Sequence, residues 1–194
     1  GGAEAVGMSY PAYSHMQFSA IAADPETMAR SGQALESRFH KAKSVHITSP
    51  AGTDITITLA NRSGIIDAGT LPPGAEKERV FSRRWLSLPG GGYGVVPREG
   101  SAKGVVVTPR DQCNYQSIQD ARYDVVDGAV TKVAAKTGQT CLDDMMAAYA
   151  PSFRQVSLVS IGLNPELRVV EEGGDYRPAN AAGLVTIGIG DNTL

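Results

Sequence analysis

The chain has 194 residues, of which 42% are hydrophobic and 20% are charged, and its formal net charge is −2. This composition is typical of a globular domain with a substantial core, and it excludes a disordered chain. The small net charge argues against nucleic acid or a membrane surface as a partner. The start, GGAEAVGMSY, lacks the basic and apolar regions of a signal peptide, so we expect a cytoplasmic protein.

The two cysteines, Cys113 and Cys141, are predicted to be reduced thiols, with a disulfide between them as the alternative. The sequence contains no CxxC pair. The histidines stand at positions 15, 40 and 46, which is not the spacing of a zinc site.

The N-terminal part of the chain divides at Asp24. Residues 1–23 show no strong periodicity, which predicts an irregular segment or the remnant of a preceding domain. Asp24-Pro25-Glu26 predicts a helix start, since aspartate is a good N-cap, proline suits the first helical position, and an acid favours the positive end of the helix dipole. We expect this helix to run to about Lys41 on one apolar face, formed by Met28, Leu35 and Phe39.

The remaining elements are mostly short strands. Asp127-Gly128 is the preferred dipeptide of a two-residue β-hairpin turn and lies between two β-rich runs. A second helix is predicted to begin with Thr140 as its cap and to end before Pro151. Together the elements predict an α+β fold, with a mostly antiparallel sheet or partial barrel of about six to eight short strands and two main helices. Further strands are expected at 45–48, 53–59, 104–108, 156–163 and 184–190.

The segment from Leu88 to Gly104, LPGGGYGVVPREGSAKG, is the most unusual stretch of the sequence. Glycine tolerates positive φ and allows another group to approach the backbone closely. The segment is therefore either a wide turn between two strands or a loop that contacts a ligand.

Two other glycine-marked loops, at 162–165 and 188–192, adjoin strands, and loops of this kind often form sites at one end of a sheet. The acidic residues nearest the three loops are Glu99, Glu166 and Asp191, and a solvated surface carboxylate is the common role for each. The sequence has no GxSxG, HExxH or P-loop motif. Pattern alone therefore predicts a loop-lined site without a defined reaction.

Several segments, in this order, resemble the catalytic domain of the aminopeptidase T family of metallo-aminopeptidases. The same segments are similar to 2,5-dihydroxypyridine 5,6-dioxygenase, an iron(II) ring-cleaving enzyme related to those peptidases. The resemblance covers roughly residues 24–194, which we treat as one catalytic-domain portion truncated at its C-terminus. It rests on Ala51 to Asp54, Pro89 to Glu99 with Gly104, the hairpin at Asp127-Gly128, Ile161 to Pro165, and Gly183 to Asn192.

The departures from both families concern the metal ligands that the resemblance implies. Gly92 stands where the peptidases have a metal-binding glutamate, and Thr186 where they have a histidine. Leu158 stands where the peptidases have a glutamate and the dioxygenase a histidine. Both families carry further ligands in a His-x-Asp segment that lies beyond this chain. We therefore expect no metal site within the chain, and zinc, cobalt or iron only with ligands from outside it.

The resemblance implies a site at the glycine-marked loops and leaves the activity open. Glu99 is the predicted catalytic residue, and Gly91, Gly92, Asn164 and Asp191 are predicted to contact substrate. Three functions are compatible with these residues: an aminopeptidase-like hydrolase with degenerate ligand positions, a mononuclear-iron ring-cleaving dioxygenase, and a non-catalytic ligand-binding relative. A small molecule or peptide is the expected substrate, and the peptidase family implies a homodimer.

Overall fold

The computed structural model describes residues 2–5, 7–61, 63–71, 73–79, 84, 86–114, 116–149, 154–169 and 178–190. The chain forms two compact units. Unit 1 comprises Gly1–Arg38, Gly64–Gly94 and Ser160–Val185, and unit 2 comprises Phe39–Ser63, Val95–Val159 and Thr186–Leu194.

The described residues form helices and one β-sheet, which confirms the predicted α+β class. The helices are α1 (Gly2–Ala5), α2 (Tyr10–Ile21), α3 (Pro25–Phe39) and α4 (Gln139–Ala148), with a short 3-10 helix at Ala75–Lys77. The strands are β1 (Ser44–Thr48), β2 (Asp54–Thr58), β3 (Ile65–Asp67), β4 (Gly92–Val95), β5 (Lys103–Cys113), β6 (Gln116–Val126), β7 (Ala129–Ala134), β8 (Gln155–Gly162) and β9 (Val185–Gly190).

The nine strands form an antiparallel sheet in the order β1-β2-β5-β6-β7-β8-β4-β3, and β9 pairs with β8. Over the described residues the sheet does not close into a barrel. No helix in this part of the chain has both the length and the apolar character needed to cross a membrane. The cytoplasmic location and the homodimer stay predictions.

Helix α3 begins where the sequence predicts. The carboxylate of Asp24 accepts hydrogen bonds from the backbone N–H groups of Glu26 at 3.2 Å and Thr27 at 3.1 Å, as an N-cap does. The Thr27 hydroxyl also donates to this carboxylate, and that bond is the main reason why the pKa of Asp24 is lowered. The predicted start of α3 is therefore confirmed, and its end lies two residues before the predicted one.

Two helix predictions need correction. Residues 10–21 form helix α2 instead of an irregular segment, with Ser9 as N-cap and Pro11 in the first turn. Sequence periodicity misses α2 because only Met16 and Ala20 are buried, while Tyr10 and Phe18 are about three-quarters exposed at 75% and 71%. Helix α4 begins two residues earlier than predicted, at Gln139, because its N-cap is Gly138 in the left-handed region instead of Thr140.

The hairpin at Asp127-Gly128 is confirmed in unit 2. Asp127 and Gly128 both have positive φ, at 48° and 80°, as the predicted turn class requires. Strands β5 and β6 are longer than predicted because the pairing continues past Pro109, where the register passes from Thr108↔Ala121 to Arg110↔Gln119.

The cysteine prediction was wrong. Cys113, at the end of β5, and Cys141, in α4, form a disulfide between residues 28 apart in sequence, and both are buried. The sequence could not decide between thiols and a disulfide, because pairing depends on the distance between the two Cα atoms, which is 6.1 Å here.

Candidate functional site

The glycine-rich stretch of unit 1 is held by side chains from three other segments. Asp67, at the end of β3, accepts hydrogen bonds from the backbone N–H groups of Gly69 at 3.0 Å and Ser87 at 2.9 Å. Asn180 donates to the carbonyl of Pro89 at 2.9 Å, and Asn164 donates to the carbonyl of Gly90 at 2.8 Å. These hydrogen bonds to its backbone groups fix the conformation of the stretch. We call residues 87–92 the site loop.

Gly91 is buried and cannot be replaced without strain. Its φ is 108°, and a Cβ built on it would lie 2.7 Å from Asn164 Cβ and 2.8 Å from the sulfur of Met28. Its N–H donates to the carbonyl of Asp67, and its carbonyl accepts from the N–H of Leu163. Gly91 thus provides close packing between β3, the site loop and the segment after β8, and both of its backbone hydrogen-bonding groups are used within unit 1.

Asn164 is completely buried, at 0% exposure, and both polar atoms of its side chain make internal hydrogen bonds. The amide nitrogen donates to the carbonyls of Gly90 and Ala20, and the amide oxygen accepts from the N–H of Glu166 at 3.0 Å. Ala20 lies in the last turn of α2, where carbonyls lack helical partners. Asn164 therefore joins α2 to the site loop, and it has no amide hydrogen left to donate to a substrate.

Gly92 is the first residue of β4 and is partly exposed. A Cβ built on it would meet one group at close range, the side-chain oxygen of Asn180 at 3.1 Å. Its φ lies outside the left-handed region. Gly92 is therefore the one predicted substrate-contacting residue that the structure places at an accessible position of the site loop.

The arrangement in unit 1 does not test two of the predicted site residues. Glu99 belongs to unit 2, where it lies on the exposed turn that follows Pro97. Asp191 lies outside the described residues. The roles of Glu99 and Asp191 therefore stay predictions.

Sequence reasoning did not identify Asp67 and Asn180, although both carry a weak signal. Asp67 precedes Gly69 by two residues, and Asn180 lies in the turn-rich run Pro178 to Gly183. Such positions predict local turn bonds by Asp and Asn. They do not predict which distant carbonyl or amide the side chain binds.

The buried Tyr93 and the partly exposed Glu36 form a hydrogen-bonded pair that supports the site loop from the side of α3. The Tyr93 hydroxyl donates to Glu36 at 2.9 Å, and the same carboxylate oxygen accepts from the N–H of Gly64 at 2.8 Å. Burial is the main cause that raises the pKa of the Tyr93 phenol, and the bond to Glu36 adds to it. In unit 2, burial likewise raises the pKa of Tyr123, with the charge of Asp111 as the second cause.

We expect the stability of the protein to fall at alkaline pH because of these two phenols. An unfolded tyrosine ionises near pH 10, whereas the folded state keeps Tyr93 and Tyr123 protonated. A raised pKa in the folded state gives stability that is complete below about pH 10 and is lost above it. The near-ultraviolet absorbance of phenolate should show that these two residues titrate only as the protein unfolds. Tyr93→Phe should remove one such group, and ionisation of both phenols in the folded state would contradict the prediction.

No gathering of three or more His, Cys, Asp or Glu side chains that could hold a metal ion occurs in the described part of the chain. Gly92 carries no donor, Leu158 and Thr186 are residues of β8 and β9, and Glu99 is an exposed turn residue. The residues described thus do not fit a mononuclear or dinuclear metal site of their own.

Fold and site together define an α+β domain whose antiparallel sheet carries an internally braced, glycine-rich loop. The family model of 2,5-dihydroxypyridine 5,6-dioxygenase (NicX) matches residues 15–172. The chain belongs to this family.

Solved structures show the same fold. The structure of 2,5-dihydroxypyridine dioxygenase from Pseudomonas putida KT2440 superposes with a TM-score of 0.64 at 21% sequence identity, over 86% of this chain and 48% of the other. Wild-type AmpT from Thermus thermophilus gives a TM-score of 0.55 at 17% identity, over 86% of this chain and 42% of the other. No curated protein matches. The chain thus spans about half the length of the solved relatives.

Proposed function

We propose that the protein containing this chain binds a hydroxylated nitrogen-heteroaromatic ring and opens it with dioxygen. The observation that carries the proposal is the match of the dioxygenase family model to residues 15–172. In such a reaction one ring bond breaks and both atoms of dioxygen enter the product, so no other oxidant is consumed. The aminopeptidase activity predicted from sequence ranks below it, because the likeness to AmpT, at 17% identity, concerns the fold alone.

The contribution of this chain to the reaction is binding and orientation. The site loop is held at Ser87, Pro89, Gly90 and Gly91 by hydrogen bonds, so its conformation is set before a ligand arrives. Preorganisation of this kind lowers the entropy cost of binding. We derive no metal-dependent step from the residues described, because they do not fit such a site.

A non-catalytic, ligand-binding relative is the second candidate. It is favoured by one specific observation: neither Gly92, Leu158 nor Thr186 offers a strong metal ligand, and no donor cluster forms among the described residues. Such a protein would keep the braced loop and bind the ring without opening it.

The two candidates differ in turnover. The full-length protein, supplied with iron(II), should consume dioxygen and 2,5-dihydroxypyridine in equal amounts, and ¹⁸O₂ should place two labelled atoms in the product. Leucine p-nitroanilide, supplied with zinc or cobalt, should not be hydrolysed. Binding of the pyridine without oxygen uptake would favour the non-catalytic relative, and hydrolysis of the anilide would restore the peptidase.

A further inference from the structure

The side-chain amide of Asn180 uses its nitrogen in a hydrogen bond, whereas its oxygen has no partner among the described residues. Its amide nitrogen donates to the carbonyl of Pro89 at 2.9 Å, which determines the orientation of the amide plane. Its amide oxygen therefore points to the opposite side, towards Gly92, where an added Cβ would lie 3.1 Å away. Asn180 and Gly92 are both partly exposed. Within the described residues this oxygen accepts no hydrogen bond, whereas the amide oxygen of Asn164 is used internally.

We infer that Asn180 Oδ1, above Gly92, is a hydrogen-bond acceptor for a ring O–H or N–H group of the ligand. This inference rests on the proposed function for the class of ligand and adds a recognition residue to it. The physical reason is that an amide oxygen of fixed orientation meets a donor without further loss of rotamer freedom. Glycine at 92 is needed because it leaves the space beside that oxygen open.

The structure also explains why this acceptor differs from its neighbours. The carbonyls of Pro89, Gly90 and Gly91 already accept bonds from Asn180, Asn164 and Leu163. Among the described residues, a ligand donor near Gly92 thus meets in the Asn180 oxygen an acceptor with both lone pairs unused, whereas each of these carbonyls already accepts one bond. Since this oxygen is uncharged, the site suits a neutral hydroxyl or ring N–H group.

The decisive variant is Gly92→Ala. Its backbone tolerates alanine, and the new methyl group would make a short contact with one neighbour, the oxygen of Asn180 at 3.1 Å. We expect Gly92→Ala to weaken binding of 2,5-dihydroxypyridine about tenfold, the worth of one hydrogen bond. The measurement is isothermal titration of the full-length protein without oxygen. Gln33→Ala is the control, because Gln33 is exposed on α3 and lies outside the three glycine-marked loops. It should bind as the wild type does.

Two substitutions of Asn180 separate recognition from a structural role. Asn180→Asp keeps an acceptor and loses the donor to Pro89, so it should bind the pyridine, whereas Asn180→Ala should not. If Asn180 only holds the loop, the two variants will be equally impaired and Gly92→Ala will bind normally, which would overturn the inference. Failure of the wild type to bind 2,5-dihydroxypyridine, or equal binding of 2,5-dimethoxypyridine, would overturn it as well. Oxygen uptake decides the proposed function separately, so each can fail without the other.

Discussion

Asn164→Ala should lower the free energy of unfolding by about 3–5 kcal/mol, since it leaves two buried carbonyls unpaired at about 1–3 kcal/mol each and one partly buried N–H group unpaired as well. The groups are the carbonyls of Ala20 and Gly90 and the N–H of Glu166, which Asn164 binds at 2.9, 2.8 and 3.0 Å. The side chain is fully buried, so water does not replace it without rearrangement. Chemical denaturation gives the total loss, and hydrogen exchange should show it within unit 1, at the site loop and at residues 163–167.

Gln33→Ala is the control for this substitution. It also removes a side-chain amide, but Gln33 is exposed on α3, and alanine favours a helix. Its stability should stay within about 0.5 kcal/mol of the wild type. Asn164→Asp should be strongly destabilised at neutral pH and less so at acid pH, because a buried carboxylate facing two carbonyls has a raised pKa. A loss below about 1 kcal/mol for Asn164→Ala would show that the three bonds do not hold the site loop.

Loss of the disulfide should have the second large effect. Replacing Cys113 and Cys141 together by serine should lower the free energy of unfolding by about 3–4 kcal/mol, the chain-entropy value for a closed loop of this size. The bridge spans 28 residues and joins β5 to α4 in unit 2. Urea denaturation, with and without dithiothreitol, measures the effect: the reductant should destabilise the wild type and leave the double variant unchanged.

Thiol titration gives an independent result for the same bond. The unreduced protein, unfolded in denaturant, should show no reactive thiol from Cys113 and Cys141, because both are paired. Two thiols per chain would contradict the bond and restore the prediction from sequence. A disulfide that persists in the isolated protein is typical of an oxidising compartment. Cell fractionation therefore tests the predicted cytoplasmic location directly.

Local features of the fold were predictable because their causes are local. Asp24-Pro25-Glu26 starts α3 through bonds within the first turn, and Asp127-Gly128 adopts the two positive φ angles of a tight hairpin. Helix α2 was missed because it has no apolar stripe: of its residues, only Met16 and Ala20 are buried. Asn164, 144 residues away in sequence, binds the carbonyl of Ala20 in its last turn.

The candidate site also combines features that local sequence patterns predict with features that depend on distant residues. The sequence identified the glycine-rich stretch and Asn164 as unusual, since Pro-Gly-Gly-Gly and Asn-Pro favour specified loops. The resemblance assigned both Gly91 and Glu99 to the site; they belong to different units, and the role of Glu99 stays a prediction. Asn180 was not identified, because the bond to Pro89 joins residues 91 apart and no local pattern encodes it.

The sequence alone determined four features: the α+β class, the antiparallel strands, the start of α3 and the hairpin turn. All of them depend on periodicity or on the backbone preferences of adjacent residues. The tertiary structure alone decided that Cys113 and Cys141 are joined, that Asn164 braces the site loop, and that the Asn180 oxygen stands over Gly92. These depend on distances between segments far apart in the chain, which are set only when the sheet has assembled.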